Sequence, residues 1–240
     1  MEEKVFIKNS KGLKLASVLN FPDKDSKHPA AIILHGFTGY KEEAHLEKLA
    51  KKLVENGFVA IRFDASGSGE SDGGFEKDYL MSNYLKDIRF VYNYLQKLEF
   101  VEKDKISIFG HSMGAALSII FASMHPKLRM CVAISPLTLM IAGNGVKAAL
   151  ERWEELGWFY KQVSRDGKHI KIPFSFIQDS NNFNVLNFVG KLRCPLAVVV
   201  GLIDDVVDPS NSREIFTAAT GQKELIEIEG WGMITKNIPM

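Results

Sequence analysis

Short apolar runs alternate with amphipathic helical stretches along most of the chain, and that alternation leaves few folds open. Ala30 to Leu34 is apolar without a break, which predicts a central strand buried on both faces. Over Glu42 to Asn56, the residues Leu46, Leu49, Ala50 and Leu53 recur on one helical face, with Gly57 as the C-cap. Phe58 to Phe63 is the next strand. Tyr84, Ile88, Val91, Tyr92 and Leu95 mark a second amphipathic helix. Ile106 to Phe109 reads as a strand and Met113 to Met124 as a helix. Cys131 to Ile134, Leu196 to Val200 and Leu225 to Ile228 read as three later strands. At the start, Val5 to Ile7 and Leu13 to Leu19 alternate partially around Ser10-Lys11-Gly12, as an antiparallel edge does. The pattern predicts an α/β fold, a mostly parallel central sheet with helices on both faces.

The 240 residues suit one such domain with a sizeable core. In such sheets ligands bind beyond the carboxyl ends of the strands. Chemistry is therefore expected in the loops after Leu34, Phe109, Val200 and Ile228. One stretch breaks the rhythm. Residues 136–187 are too long for a simple connection and are read as a small cap, inserted after the strand ending near Ile134. Residues 1–135 and 188–240 then form the core. Trp153, Trp158 and Phe159 of the cap are candidates for the wall of a substrate pocket. For most cap aromatics, packing of cap on core is the simpler reading.

Composition narrows the partners. The formal net charge is +1, so no broad field points to nucleic acid or an anionic membrane. Lysines and acidic residues are mixed along the helices, which reads as solvated faces. No apolar run approaches the roughly 20 residues that span a bilayer. Met1 to Ile7 carries Glu2, Glu3 and Lys4 and lacks the apolar core of a signal peptide, so a cytoplasmic location is expected. Cys131 and Cys194 lie in or beside apolar runs and are read as buried, reduced thiols. No cluster of His, Cys and Asp has ligand spacing, so no metal and no organic cofactor is expected. The expected partner is a small molecule. The one protein assembly left open is a homodimer.

The sharpest local signal is Gly110-His111-Ser112-Met113-Gly114, between a strand and a helix. This is the setting of a nucleophile elbow, where a serine sits on a strained turn and small residues must flank it at two positions' distance. Ala115 and Ala116 let the helix lie close to the sheet, and its N-terminus favours negative charge near Ser112. A second piece, His35-Gly36-Phe37-Thr38-Gly39, follows the strand ending at Leu34. The backbone N–H groups of Phe37 and Met113 are placed to form an oxyanion hole. His35 is read as orienting this loop, and the side chain of His111 as pointing away from its neighbour Ser112. The third piece is Gly201-Leu202-Ile203-Asp204-Asp205-Val206-Val207, after the strand ending at Val200. A carboxylate there can orient a catalytic imidazole, and Asp204 fits best by its spacing from Gly201. Asp205 and Asp208 are read as solvated or turn residues.

With these residues in view, the chain resembles the serine α/β-hydrolases, and within them the feruloyl (cinnamoyl) esterase group of bacterial carboxylesterases. His35 to Gly39, the loop Asp64-Ala65-Ser66-Gly67-Ser68-Gly69-Glu70-Ser71-Asp72-Gly73, the elbow at Ser112, the Asp204 segment and the cap carry the resemblance. In that group the 64–73 loop often has a histidine where this chain has Ser68; the loop is read as structural in either case. The resemblance implies a serine carboxylesterase acting on a small-molecule ester. Lipase, peptidase or other hydrolase chemistry uses the same parts.

One part is missing. The order of the triad should be Ser, Asp, His, with the histidine after the last strand. The segment there is Glu229-Gly230-Trp231-Gly232-Met233, and none of the six histidines (His28, His35, His45, His111, His125, His169) follows Asp204. Met233 thus stands at the expected base position. Three accounts compete: a C-terminus altered or shortened relative to an active parent, which is favoured; a pseudoenzyme that binds acyl or aromatic ligands; and a base supplied from elsewhere, such as His169.

Overall fold

A computed structural model describes residues 1–162 and 169–232, apart from the side chain of Gln162. The chain opens with the hairpin β1 (Glu2–Lys8) and β2 (Lys14–Asn20), then β3 (His28–Leu34), α1 (Ala44–Glu55) and β4 (Val59–Phe63). A short α2 (Phe75–Asp78) and α3 (Met81–Leu95) lead to β5 (Val101–His111), α4 (Met113–Met124) and β6 (Cys131–Ile134). Then come a single 3₁₀ turn at Met140–Ala142, α5 (Asn144–Leu156), β7 (Trp158–Gln162), β8 (His169–Pro173), α6 (Ser175–Ser180) and α7 (Leu186–Val189). β9 (Leu196–Gly201), α8 (Pro209–Ala218) and β10 (Lys223–Ile228) complete the described chain.

Eight strands form one sheet in the order β1-β2-β4-β3-β5-β6-β9-β10. β1, β2 and β4 pair antiparallel at one edge, and every other pair is parallel. The middle strands are apolar throughout because both faces are covered: all five residues of β4 are buried. α4 is apolar all round for the same reason, since it packs on β5 and β6 and against α3 and α7. α1 starts two residues later than the apolar pattern suggests. Glu43 is extended at ψ 131, and Glu42 pairs with Lys41 at 3.0 Å. β5 runs longer, back to a buried Val101 opposite His28.

Between β6 and β9 the chain builds α5 and a separate two-stranded antiparallel sheet, β7 with β8. β8 leans on α2 and α6. Trp153 of α5 is 1% exposed and packs, ring tilted, against Phe159 at 5.4 Å. Strand alternation sends Trp158 the other way, onto Tyr160 and under the Lys171 ammonium. Among the described residues no helix is long and apolar enough to cross a membrane.

Candidate active site

Ser112 ends β5 and caps α4 with φ 55 and ψ −119, a left-handed conformation costly for a residue with a side chain. Its surroundings impose it. Ser112 N–H donates to Ile134 O at 2.9 Å, and its own carbonyl accepts the N–H groups of Ala115 and Ala116. The two flanking glycines permit the turn by close approach. A Cβ on Gly110 would run into the Gly114 carbonyl, and one on Gly114 would sit 2.6 Å from His35 O and 2.7 Å from Leu34 O. The sequence therefore needs glycine at both places for the helix to start where it does.

The loop 35–39 is pinned as firmly. His35 is fully buried; its Nε2 accepts the Ala65 N–H and its Nδ1 faces Gly36 O at 2.9 Å, so both ring nitrogens are engaged. Burial holds its pKa below the usual value. Tyr84 OH accepts the His35 N–H, and Tyr79 OH accepts the Thr38 N–H at 2.9 Å. Ser68, at the position where the resemblance has histidine, donates its hydroxyl to Gly39 O and ties the 64–73 loop to this one. Phe37 packs on Phe176 at 4.8 Å. Among the described residues, no hydrogen bond is made by the N–H of Phe37 or of Met113. The side chain of Met113 lies in the core, so its contribution to a site is its amide.

Asp204 follows β9 and is 6% exposed. Its Oδ1 accepts the N–H groups of Val206 and Val207 at 3.0 and 2.9 Å, while its Oδ2 is buried without a hydrogen-bond partner among the described residues. Asp205 is exposed, and Asp208 caps α8 by accepting the Ser210 N–H at 2.8 Å. Gly232 lies against this turn: a Cβ there would be 3.2 Å from Asp204 Cα. Met233 is outside the described residues.

Ser112 opens on a cavity of about 520 Å³. Leu137, Met140, Val146, Ala149 and Trp153 give it an apolar end, with Val206 and Val207 beside them. Phe159 also lines it, and Trp158 does not, which corrects the expectation for that residue. Strand alternation decides between the two neighbours. His111 also lines the cavity, and its ring packs edge-on against His45 at 4.6 Å. His169, the least favoured source of a base, is exposed on β8 and takes no part in the wall among the described residues.

The other end of the cavity carries Glu43, His45, His111 and Lys161. The sequence reading passed over Glu43, His45 and Lys161. Burial, then Asp64, pushes the Glu43 carboxyl up to about 7. Burial, then His45, pushes His111 down to about 3. Lys161 is lowered by burial, against the pull of Glu43. A separate group, Glu42, Asp64 and Glu70, brings carboxylate oxygens within 4.8 Å of one another. The cation among them is Lys41, whose Nζ reaches them at 3.0, 2.9 and 2.7 Å, so the residues present do not suit a metal ion.

Comparison with known proteins agrees with this architecture. The structure of ferulic acid bound to Est1E from Butyrivibrio proteoclasticus superposes with a TM-score of 0.77 at 27% identity, over 95% of this chain and 90% of that one. Acetyl xylan esterase 1 from Thermoanaerobacterium sp. JW/SL YS485 shares the fold, with a TM-score of 0.72 at 18% identity over 99% of this chain and 78% of that one. An uncharacterized 31.7 kDa protein in the traX-finO intergenic region of Escherichia coli is 27% identical over 248 residues, 89% of this chain and 86% of that protein. The family model described as serine aminopeptidase, S33, matches residues 25–184, more than half of the sequence. The chain therefore belongs to the serine aminopeptidase S33 family of the α/β-hydrolase superfamily.

Proposed function

We propose that this chain is a serine carboxylesterase with Ser112 as nucleophile. The observation that carries the reading is the strained backbone of Ser112, a non-glycine residue at φ 55 between strand and helix on a cavity wall. Ser112 Oγ attacks the ester carbonyl. The oxyanion takes the N–H groups of Phe37 and Met113. The alcohol leaves, and water then releases the acid. Trp153 and Phe159 favour a flat or apolar acyl group, and the likeness to Est1E, solved with ferulic acid, supports an aryl (cinnamoyl) acid.

The serine proton needs an acceptor. Asp204 Oδ2, buried and unmatched among the described residues, is the acceptor that an imidazole N–H would use. The sequence puts Met233 next to Gly232, and a thioether takes no proton from a hydroxyl at neutral pH. His111 is a poor substitute, since an imidazole near 3 is a weak base. His35 has both nitrogens committed. The site is thus read as a hydrolase site in which Met233 stands where the base is expected, and turnover is expected to be slow.

The second reading is a ligand-binding protein of the same fold. Met233 at the expected position of the base favours it. Hydrolysis of 4-nitrophenyl acetate separates the two. A slow rate above buffer that Ser112→Ala removes supports the esterase. Binding of an aryl ester with no Ser112-dependent turnover supports the second reading instead.

A further inference from the structure

The cavity has two unlike ends, and the polar end is unfinished. Lys161, from the β7 strand, holds its ammonium 4.8 Å above the Phe37 ring, over the loop that offers the oxyanion amide. Among the described residues it makes no hydrogen bond and no ion pair. Glu43 lies against Gly39 of the same loop, where an added Cβ would be 2.8 Å from its Oε2. That Oε2 atom is buried and without a partner, and so is Nε2 of His45, which stands 3.9 Å away. Polar groups drawn out of water are ordinarily matched, and ammonium groups most of all. Here two buried, unmatched polar atoms and the half-buried Lys161 ammonium converge on one cavity wall.

We propose that Lys161, Glu43 and His45 form a carboxylate-binding subsite, so that the preferred ester carries a free carboxylate on the part lying away from the apolar end. The inference rests on reading Ser112 as the nucleophile of an ester-binding cavity. The ammonium supplies the charge, and among the described residues it is the one lysine or arginine on the cavity wall. His45 supplies a ring N–H. Glu43 does not repel the ligand, because its carboxyl holds a proton close to neutrality and donates it as a hydrogen bond. The apolar end, from Leu137 to Trp153, takes the remainder of the substrate. Half-esters of dicarboxylic acids are the simplest compounds of this class.

The test is calorimetric titration of the Ser112→Ala protein, which cannot turn substrate over, just below neutral pH. The probes are monomethyl succinate, glutarate and adipate, each against its dimethyl ester and a hydroxy-ester of equal length. At least one monomethyl ester is expected to bind about 10-fold more tightly than its dimethyl ester, the equivalent of about 1.4 kcal/mol. Adding Lys161→Met should remove the preference and leave dimethyl ester binding unchanged, which also shows that the cavity remains folded. Lys161→Arg should keep it. The subsite is overturned if the dimethyl ester or the hydroxy-ester binds as well as the half-ester, or if Lys161→Met keeps the preference. Failure of every ester to bind would overturn both this proposal and the ester-binding reading beneath it. Neutral binding without preference overturns the subsite alone.

Discussion

Around Ser112 the backbone is held at nearly every polar atom, whereas after β9 Asp204 keeps one buried oxygen unmatched among the described residues. The nucleophile side is fixed by strands β3 and β5, by Tyr79, Tyr84 and His35, and by two glycines that admit no Cβ. The acid side hangs on one carboxylate that gathers the turn after β9 through two N–H groups. Strain at Ser112 persists because its neighbours over-determine it. An unmatched oxygen at Asp204 suits one half of a contact whose other half is not among the described residues.

The largest effect should come from breaking the rigid side. Gly114→Val forces a side chain onto the carbonyls of Leu34 and His35, which are backbone atoms of a buried strand end. A loss of about 3 kcal/mol or more in urea unfolding is expected, by overpacking against groups that cannot move. A loss under about 1 kcal/mol would mean that the elbow can relax, and the contrast would weaken.

On the acid side, Asp204→Ala leaves the amides of Val206 and Val207 without their acceptor. A cost of about 2 kcal/mol is expected, against less than about 0.5 kcal/mol for the exposed Asp205→Ala. Equal effects at the two positions would show that Asp204 does not organise this turn.

The smallest effect concerns the polar end. Glu43 ionises near its usual 4.5 when unfolded and near 7 when folded. Between those values the folded state holds more protons, so its stability falls as pH rises and the loss is complete above about 7. Glu43→Gln should therefore stabilise the protein above neutrality and be neutral at pH values below 4.5. With the side chain 22% exposed, screening limits the gain to about 1 kcal/mol. A gain of the same size at both extremes of pH would contradict burial of that carboxyl.

The contrast also explains what could be seen in the sequence. The elbow was legible because Gly110, Ser112 and Gly114 must sit at fixed spacing on a strand-to-helix turn, so geometry and residue type coincide. The burial of Asp204 beside an exposed Asp205 agrees with its place after an apolar strand. Trp158 misled because Trp158 and Phe159 are adjacent in a strand and composition cannot say which faces inward. The contact of His111 with His45 joins two distant parts of the chain, so it had no local signature. Glu43, His45 and Lys161 look like ordinary charges of solvated faces. They come together only on the wall of one cavity, and that is a tertiary arrangement without a local signature.

The most direct measurement is kcat for a short-chain aryl ester in three proteins: the chain as it stands, Met233→His, and Met233→His with Ser112→Ala. Loss of a triad histidine costs up to about 10⁶-fold elsewhere. Met233→His is expected to recover at least about 100-fold, a part of that, since a restored imidazole must still be held to tight geometry. Ser112→Ala should then abolish the gain. A rise that survives Ser112→Ala, or full activity in the unaltered chain with no response to Met233→His, would contradict the account of Ser112 as a nucleophile awaiting its base.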